Sequence, residues 1–340
     1  MDAFQYQGVP KVELHRHLEG AIRPSTILDL YQRNRGKHLG ARLEELIPRI
    51  QMMEGERSFS TFLGKFNFFM PCIASAADLA RITSEAIEDC AADGIIYSEL
   101  RFAPSFIQEL TGLSAVQAVE AVLEGARVAK RGLPDIIVNF IAIILQPSGE
   151  KAGWDGVRLA ADYREAGVRG VDIAADTTVL PLEEYLRPFA WARANGLGVT
   201  VHAGESEGSD SVRTAIEKLG APRVGHGVRA VEDPRVASLA AERGTLFEVC
   251  LTSNVQTGVA ADLQAHPLPR LMEMGVKTCL NTDDPGISGI TLSGEYARAA
   301  ETWGMGAADF AAMNAHALEA SFGSEAQRKT IRAMLDGWSR

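Results

Sequence analysis

The 340-residue sequence predicts an α/β fold, a (β/α)8 barrel of the TIM type with a helical insertion after its first strand. Three observations carry that expectation. Short β-branched apolar runs alternate with longer stretches of helical spacing, as parallel strands joined by helical crossovers would. Eight such runs occur, the number that closes a barrel. The metal-capable side chains gather at the ends of these runs, where a barrel of this kind carries its chemistry. A doubly wound open sheet is the architectural alternative.

The runs are Lys11–His17, Ile95–Phe102, Ile136–Ile144, Val168–Ala174, Gly198–Ala203, Arg223–Gly227, Thr245–Leu251 and Val276–Asp283. Between them, Arg23-Pro24-Ser25 opens one helix and Asp233-Pro234 another, while Gly94 ends a helix that begins near Ala76. Helical pattern fills Pro24 to Asp93, far more than one crossover needs, so this stretch is expected to cover one end of the barrel. No internal repeat or linker divides the sequence, and residues 1–340 are read as one domain.

Composition narrows the partners. With 46% hydrophobic and 23% charged residues and no long polar run, the chain can bury a large core. A formal charge of −10 without clustered Lys or Arg argues against nucleic acid, which leaves small molecules as the expected partners. Met1–Pro10 lacks a charged segment followed by an apolar one, and no later stretch reaches about 18 apolar residues. The expectation is a cytoplasmic protein with no membrane partner; no feature specifies an oligomeric state. Cys72, Cys90, Cys250 and Cys279 are scattered without a Cys-x-x-Cys pair, so they read as buried thiols.

His15 and His17 end the first run, His202 the fifth, His226 the sixth, and Asp283 with Asp284 the eighth. Alternate side chains of a strand point the same way, so His15 and His17 can both face the barrel interior while Arg16 faces out. With His202 and Asp283 they form a nitrogen- and oxygen-rich set suited to one Zn²⁺ ion, with a position open for water. Any one of these histidines alone would be an ordinary core residue, but a bland core has no reason to gather so many ionisable groups on one rim. Glu205 follows His202 by three residues, and the turn at Gly204 can bring its carboxyl back over the metal as a general acid or base. Asp283 and Asp284 would repel each other if both were buried and ionised, unless a divalent cation neutralises one of them.

Five segments resemble the adenosine deaminase family: Pro-Lys-Val-Glu-Leu-His-Arg-His-Leu-Glu-Gly (10–20), Val-His-Ala-Gly-Glu (201–205), Arg-Val-Gly-His-Gly (223–227), Cys-Leu-Thr-Ser-Asn-Val-Gln-Thr-Gly (250–258) and Leu-Asn-Thr-Asp-Asp-Pro (280–285). The resemblance runs from Pro10 to the end of the chain. It implies a barrel with one zinc ion on His15, His17, His202 and Asp283, and hydrolysis of the 6-amino group of adenosine, and of deoxyadenosine, to inosine and ammonia. It further implies that Glu205 protonates purine N1, that His226 orients and helps deprotonate the zinc-bound water, and that Asp284 hydrogen-bonds to N7. His17, Glu19, Ala175 and Asp284 would meet the substrate.

Two positions depart from the family pattern. Glu19 replaces an aspartate common at a position facing ribose, and Ala175, in Asp172-Ile173-Ala174-Ala175-Asp176, replaces a glycine whose N–H contacts N3. A backbone contact at Ala175 is expected to survive only if φ stays negative and the methyl points away. An adenine deaminase, or one acting on a modified nucleoside such as aminodeoxyfutalosine, is the alternative within enzymes.

Other signals are weaker. Phe59, Phe62 and Phe66 at helical spacing read first as core packing, although the resemblance suggests a wall over ribose and purine. His38, His266 and His316 read as surface or capping residues. Gly225-His226-Gly227-Val228-Arg229-Ala230, with Glu248 about 20 residues on, mimics a dinucleotide fingerprint, but Asp233-Pro234 places the helix start too late for one. The His-x-Glu and Pro-Cys-x-x-Cys signature of cytosine-type zinc deaminases is absent. The fourth run ends without the lysine common in related two-metal barrels, which favours one metal. A non-catalytic purine-binding barrel would lack the metal residues or Glu205, and this sequence has both.

Overall fold

The computed structural model describes residues 4–34, 42–175 and 179–338. Eight parallel strands follow one another in chain order: β1 Lys11–His17, β2 Ile95–Phe102, β3 Ile137–Leu145, β4 Val168–Ala174, β5 Gly198–Ala203, β6 Arg223–His226, β7 Leu246–Val249 and β8 Lys277–Leu280. The strands match the eight apolar runs except at some ends. Leu251, apolar enough to extend the seventh run, instead opens the helix Leu251–Gln256, and residues 281–283 leave the eighth ladder.

That departure closes the ring. The Asn281 side-chain oxygen accepts from the N–H groups of Leu14 (2.9 Å) and His15 (3.1 Å), and Asp283 exchanges backbone bonds with His15 and His17. Opposite β2, three residues of β1 span two of the partner between Glu13 and Arg16, a bulge that re-aims the side chains beyond it.

The barrel interior is layered. Phe322 plugs the floor, where a Cβ on Gly198 would lie 2.2 Å from its ring. Above it, the guanidiniums of Arg101 and Arg223 are fully buried among the carboxylates of Glu99, Asp172 and Glu248. Buried ions are tolerated only when paired, and each guanidinium here meets two carboxylates. The histidines form the top layer.

Between β1 and β2 lie the helices Pro24–Asn34, Leu43–Ile50, Phe59–Phe69 and Ala76–Ala92. Ser58 and Ser75 cap the last two by accepting from Thr61 N and Asp78 N. Pro24 opens the first, Pro234 opens the helix Pro234–Arg243 behind its Asp233 cap, and Gly94 follows Ala76–Ala92 with φ of 75°. His38 and Asp176 lie outside the described residues. Among the described residues no helix is long and apolar enough to cross a membrane.

Candidate metal centre and active site

β1 carries His15 and His17 to the carboxyl end of the barrel, β5 brings His202, and the turn after β8 brings Asp283. Their donor atoms converge. His17 Nε2 lies 3.3 Å from the Nε2 atoms of both His15 and His202, and Asp283 Oδ1 lies 3.0 Å from His15 Nε2 and 3.1 Å from His17 Nε2. Ligands about 2.0–2.1 Å from a shared tetrahedral ion stand roughly 3.3 Å apart.

The other face of two rings explains why these nitrogens are not simply hydrogen-bonded to one another. His15 Nδ1 donates to Glu248 Oε2 at 2.9 Å, and His202 Nδ1 donates to Asp172 at 3.0 Å. Each neutral ring thus carries its proton on Nδ1 and turns a bare lone pair inward. Burial lowers both imidazoles, His202 to about 3, which keeps them neutral. Lone pairs and a carboxylate oxygen facing each other at these distances repel unless a cation lies among them. Two buried guanidiniums face three carboxylates, Glu99, Asp172 and Glu248, and Asp283 adds a fourth beside the histidines, so these six groups carry a formal excess of two negative charges that suits a divalent ion. Ligand atoms of His15, His202, His226 and Asp283 lie within 4.8 Å of one another, as do those of His17, Asp283 and Asp284, an arrangement that fits a metal site.

Space is made by glycine. A Cβ on Gly225 would come 3.0 Å from His15 Cε1, and one on Gly20 would lie 1.6 Å from Asp284 Oδ1. Gly204 turns the chain with φ of 65°, and Glu205 then stands with Oε2 3.5 Å from His226 Nε2. Burial raises the carboxyls of Glu205, Asp284 and Glu19 above their ordinary values, against the opposing pull of His17 on all three. Glu19 Oε1 accepts from Ala103 N at 2.7 Å, while Glu19 Oε2 and Asp284 Oδ1 are buried without a protein partner. All three residues line one cavity of about 410 Å³ over the histidines.

Phe59, Phe62 and Phe66 line the same cavity. Phe62 and Phe66 also belong to the main apolar cluster, so core packing and cavity wall are one surface. Ala175 lines it too, but with φ of +88°, not the negative value expected of a residue with a methyl group. The chain keeps a glycine-like turn there, at a cost of roughly 1–2 kcal/mol. His226 (φ 60°) and Asp283 (φ 62°) are the other non-glycine residues with positive φ among those described, so backbone strain collects at this rim.

Of the two outlying histidines described, His266 has the capping role expected of it but not the surface position. His266 is buried, not on the surface; its Nδ1 does accept from Leu268 N, and its Nε2 meets Asn254. His316 is half-buried, with Nδ1 3.4 Å from the Thr278 carbonyl. Sequence reasoning passed over Asp172 and Glu248 as partners of His202 and His15, Arg101 between them, and Ser253, whose hydroxyl donates to Asp283 Oδ2 at 2.6 Å. A charged residue in the middle of an otherwise apolar strand, as Glu248 is in Leu246–Val249, was the available signal.

The adenosine deaminase family model matches residues 10–338. The chain is 37% identical to the adenosine deaminase of Serratia proteamaculans over 97% of its own length and 98% of the relative's. A Burkholderia ambifaria amidohydrolase with bound Zn superposes with a TM-score of 0.88 at 26% identity, covering 98% of this chain and 92% of that one. An adenine deaminase from Arthrobacter aurescens has the same fold, with a TM-score of 0.88 at 23% identity over 98% and 99% of the two chains.

Proposed function

The chain belongs to the adenosine deaminase family, and from that premise we propose that it binds one zinc ion on His15, His17, His202 and Asp283 and hydrolyses adenosine and deoxyadenosine to the inosine nucleosides and ammonia. The convergence of four donor atoms whose two carboxylate-held rings turn bare lone pairs inward carries this reading. A bound zinc ion supplies a Lewis acid that lets water ionise near neutral pH.

The chain's own residues do the rest. Glu205, kept protonated by burial, gives its proton to purine N1, which drains electron density from C6 as water adds there. The proton lost as water ionises restores the Glu205 carboxyl, the hydroxyl proton of the adduct passes to the 6-amino nitrogen, and C6=O forms as the C6–N bond breaks and ammonia leaves. Purine N7 is an acceptor, so its partner must be a donor; burial keeps Asp284 protonated, and its unpaired oxygen lines the cavity. His226 orients the attacking water. Glu19 Oε2 meets a sugar hydroxyl, whereas the contact of Ala175 with N3 required a negative φ that the residue does not have.

Ammonia release measured on adenosine, deoxyadenosine, adenine and aminodeoxyfutalosine, with elemental analysis of the same preparation, tests this. The expected result is one zinc per chain and the highest kcat/KM on adenosine. A metal-free protein with full activity, or two tightly held metals, would overturn the metal assignment.

A further inference from the structure

Beside the metal donors runs a chain of hydrogen bonds whose direction is set at one end. The backbone N–H of Leu268 donates to His266 Nδ1 at 3.1 Å. That nitrogen therefore carries the lone pair, and the proton of the neutral ring sits on Nε2. Burial drops the His266 imidazole to about 3, so the ring is neutral. Its Nε2–H then donates, at 3.1 Å, to Asn254 Oδ1. The amide nitrogen of Asn254 is left to donate to His226 Nδ1, again at 3.1 Å. A backbone N–H, which has only one role, thus fixes an amide orientation and a tautomer that are otherwise open.

We infer that Asn254 and His266 are positioning residues that hold His226 with its proton on Nε2, so that His226 donates a hydrogen bond into the reaction centre and takes up no proton there. The alternatives fail on geometry. A proton on His226 Nδ1, in either the other tautomer or the imidazolium, would meet the Asn254 N–H donor to donor at 3.1 Å. The groups that Nε2 faces are compatible: Asp283 Oδ2 at 4.0 Å is an acceptor, and Glu205 Oε2 at 3.5 Å accepts when its carboxyl proton sits on the other oxygen. The part of this inference that concerns catalysis rests on the role given to His226 above, whereas the tautomer does not. It replaces the expectation that His226 helps deprotonate water, since an Nε2 that already bears hydrogen has no lone pair to receive another.

Nitrogen-15 spectra of histidine-labelled protein, zinc-loaded and again after chelation, read the tautomer directly; the chain has seven histidines, and His226→Ala identifies the signal. The expected spectrum shows His226 protonated on Nε2 and bare on Nδ1 in both states. Asn254→Asp exchanges the amide donor for an acceptor, so the proton should move to Nδ1 and kcat should fall by about 10–100-fold. KM should stay within about twofold, because the change leaves substrate contacts in place. His266→Gln, which can still donate to Asn254, should keep the tautomer, while His266→Leu should lose it with the fold retained by circular dichroism. A bare Nε2 in the unmodified protein, or an unmoved proton in Asn254→Asp, overturns the inference. If the tautomer is as stated but His226→Ala keeps full kcat, the lock stands and the catalytic role of His226 falls.

Discussion

Glu248 Oε2 lies 2.9 Å from His15 Nδ1 and 2.7 Å from the Arg101 guanidinium, so one buried carboxylate both sets the tautomer of a histidine in the donor cluster and neutralises a core cation. Burial alone would raise this carboxyl, but Arg101 and Arg223 outweigh it and hold it well below its ordinary range. The carboxylate is therefore ionised at any working pH. An ionised partner makes the His15 imidazole a stronger donor toward a metal.

Glu248→Gln should then weaken metal binding by about 10–100-fold, measured by competition with a chelator. The same variant should also lower Tm, because two guanidiniums lose a charged partner in a layer with no exposure. Metal affinity equal to that of the unmodified protein would show that the carboxylate does not tune His15.

Glu205→Gln tests the proton donor. The substitution removes the transferable proton and leaves all four metal donors untouched, so zinc content should be unchanged while kcat collapses. General acid catalysis contributes on the order of 10²–10⁴-fold. A variant retaining more than about a tenth of kcat, a change under roughly 1.4 kcal/mol, would remove Glu205 from that role.

Ala175→Gly should stabilise the protein. The left-handed φ of +88° costs an alanine roughly 1–2 kcal/mol, and glycine's freedom in the unfolded chain takes back about 0.5–1 kcal/mol. The net gain is at most about 1.5 kcal/mol, or a Tm rise on the order of 1–2 °C in a chain this long. A fall in Tm would mean that the methyl's packing outweighs the strain.

These sites differ in how legible they were. The strands were readable because parallel strands buried on both faces are written as apolar runs, and the metal-facing residues because each interrupts such a run at its end. Ala175 marked a departure, but sequence could not say which conformation would prevail, since the surrounding turn decides φ. Asp172 and Glu248 sit 30 and 233 positions from the histidines they hold. Their pairing exists only once the barrel closes, so no local pattern announces it. His266 was misplaced because its loop reads as polar surface, while its burial comes from packing beside Asn254 and Trp303.

Glu19 is longer by one methylene than the aspartate common at its position, which left open whether its carboxyl would reach ribose or crowd it. One oxygen is anchored on Ala103 N at 2.7 Å, and the other is buried, unpartnered and at the cavity wall. Anchoring uses the extra length sideways, so the free oxygen is held for a ligand hydroxyl without swinging across the pocket. Burial also raises this carboxyl, which lets it donate as well as accept. Free adenine would leave that buried oxygen unpaired at a cost of about 1–3 kcal/mol, enough for roughly tenfold or greater preference for the nucleoside. Glu19→Asp cannot span both the anchor and the sugar, so the adenosine-to-adenine ratio of kcat/KM should fall by about tenfold, mostly through adenosine. Glu19→Gln keeps an acceptor for Ala103 N and a polar atom at the wall, and should lie between the two. Parallel kinetics on both substrates decide it: faster turnover of adenine than adenosine by the unmodified protein would reverse the substrate assignment while leaving the metal chemistry standing.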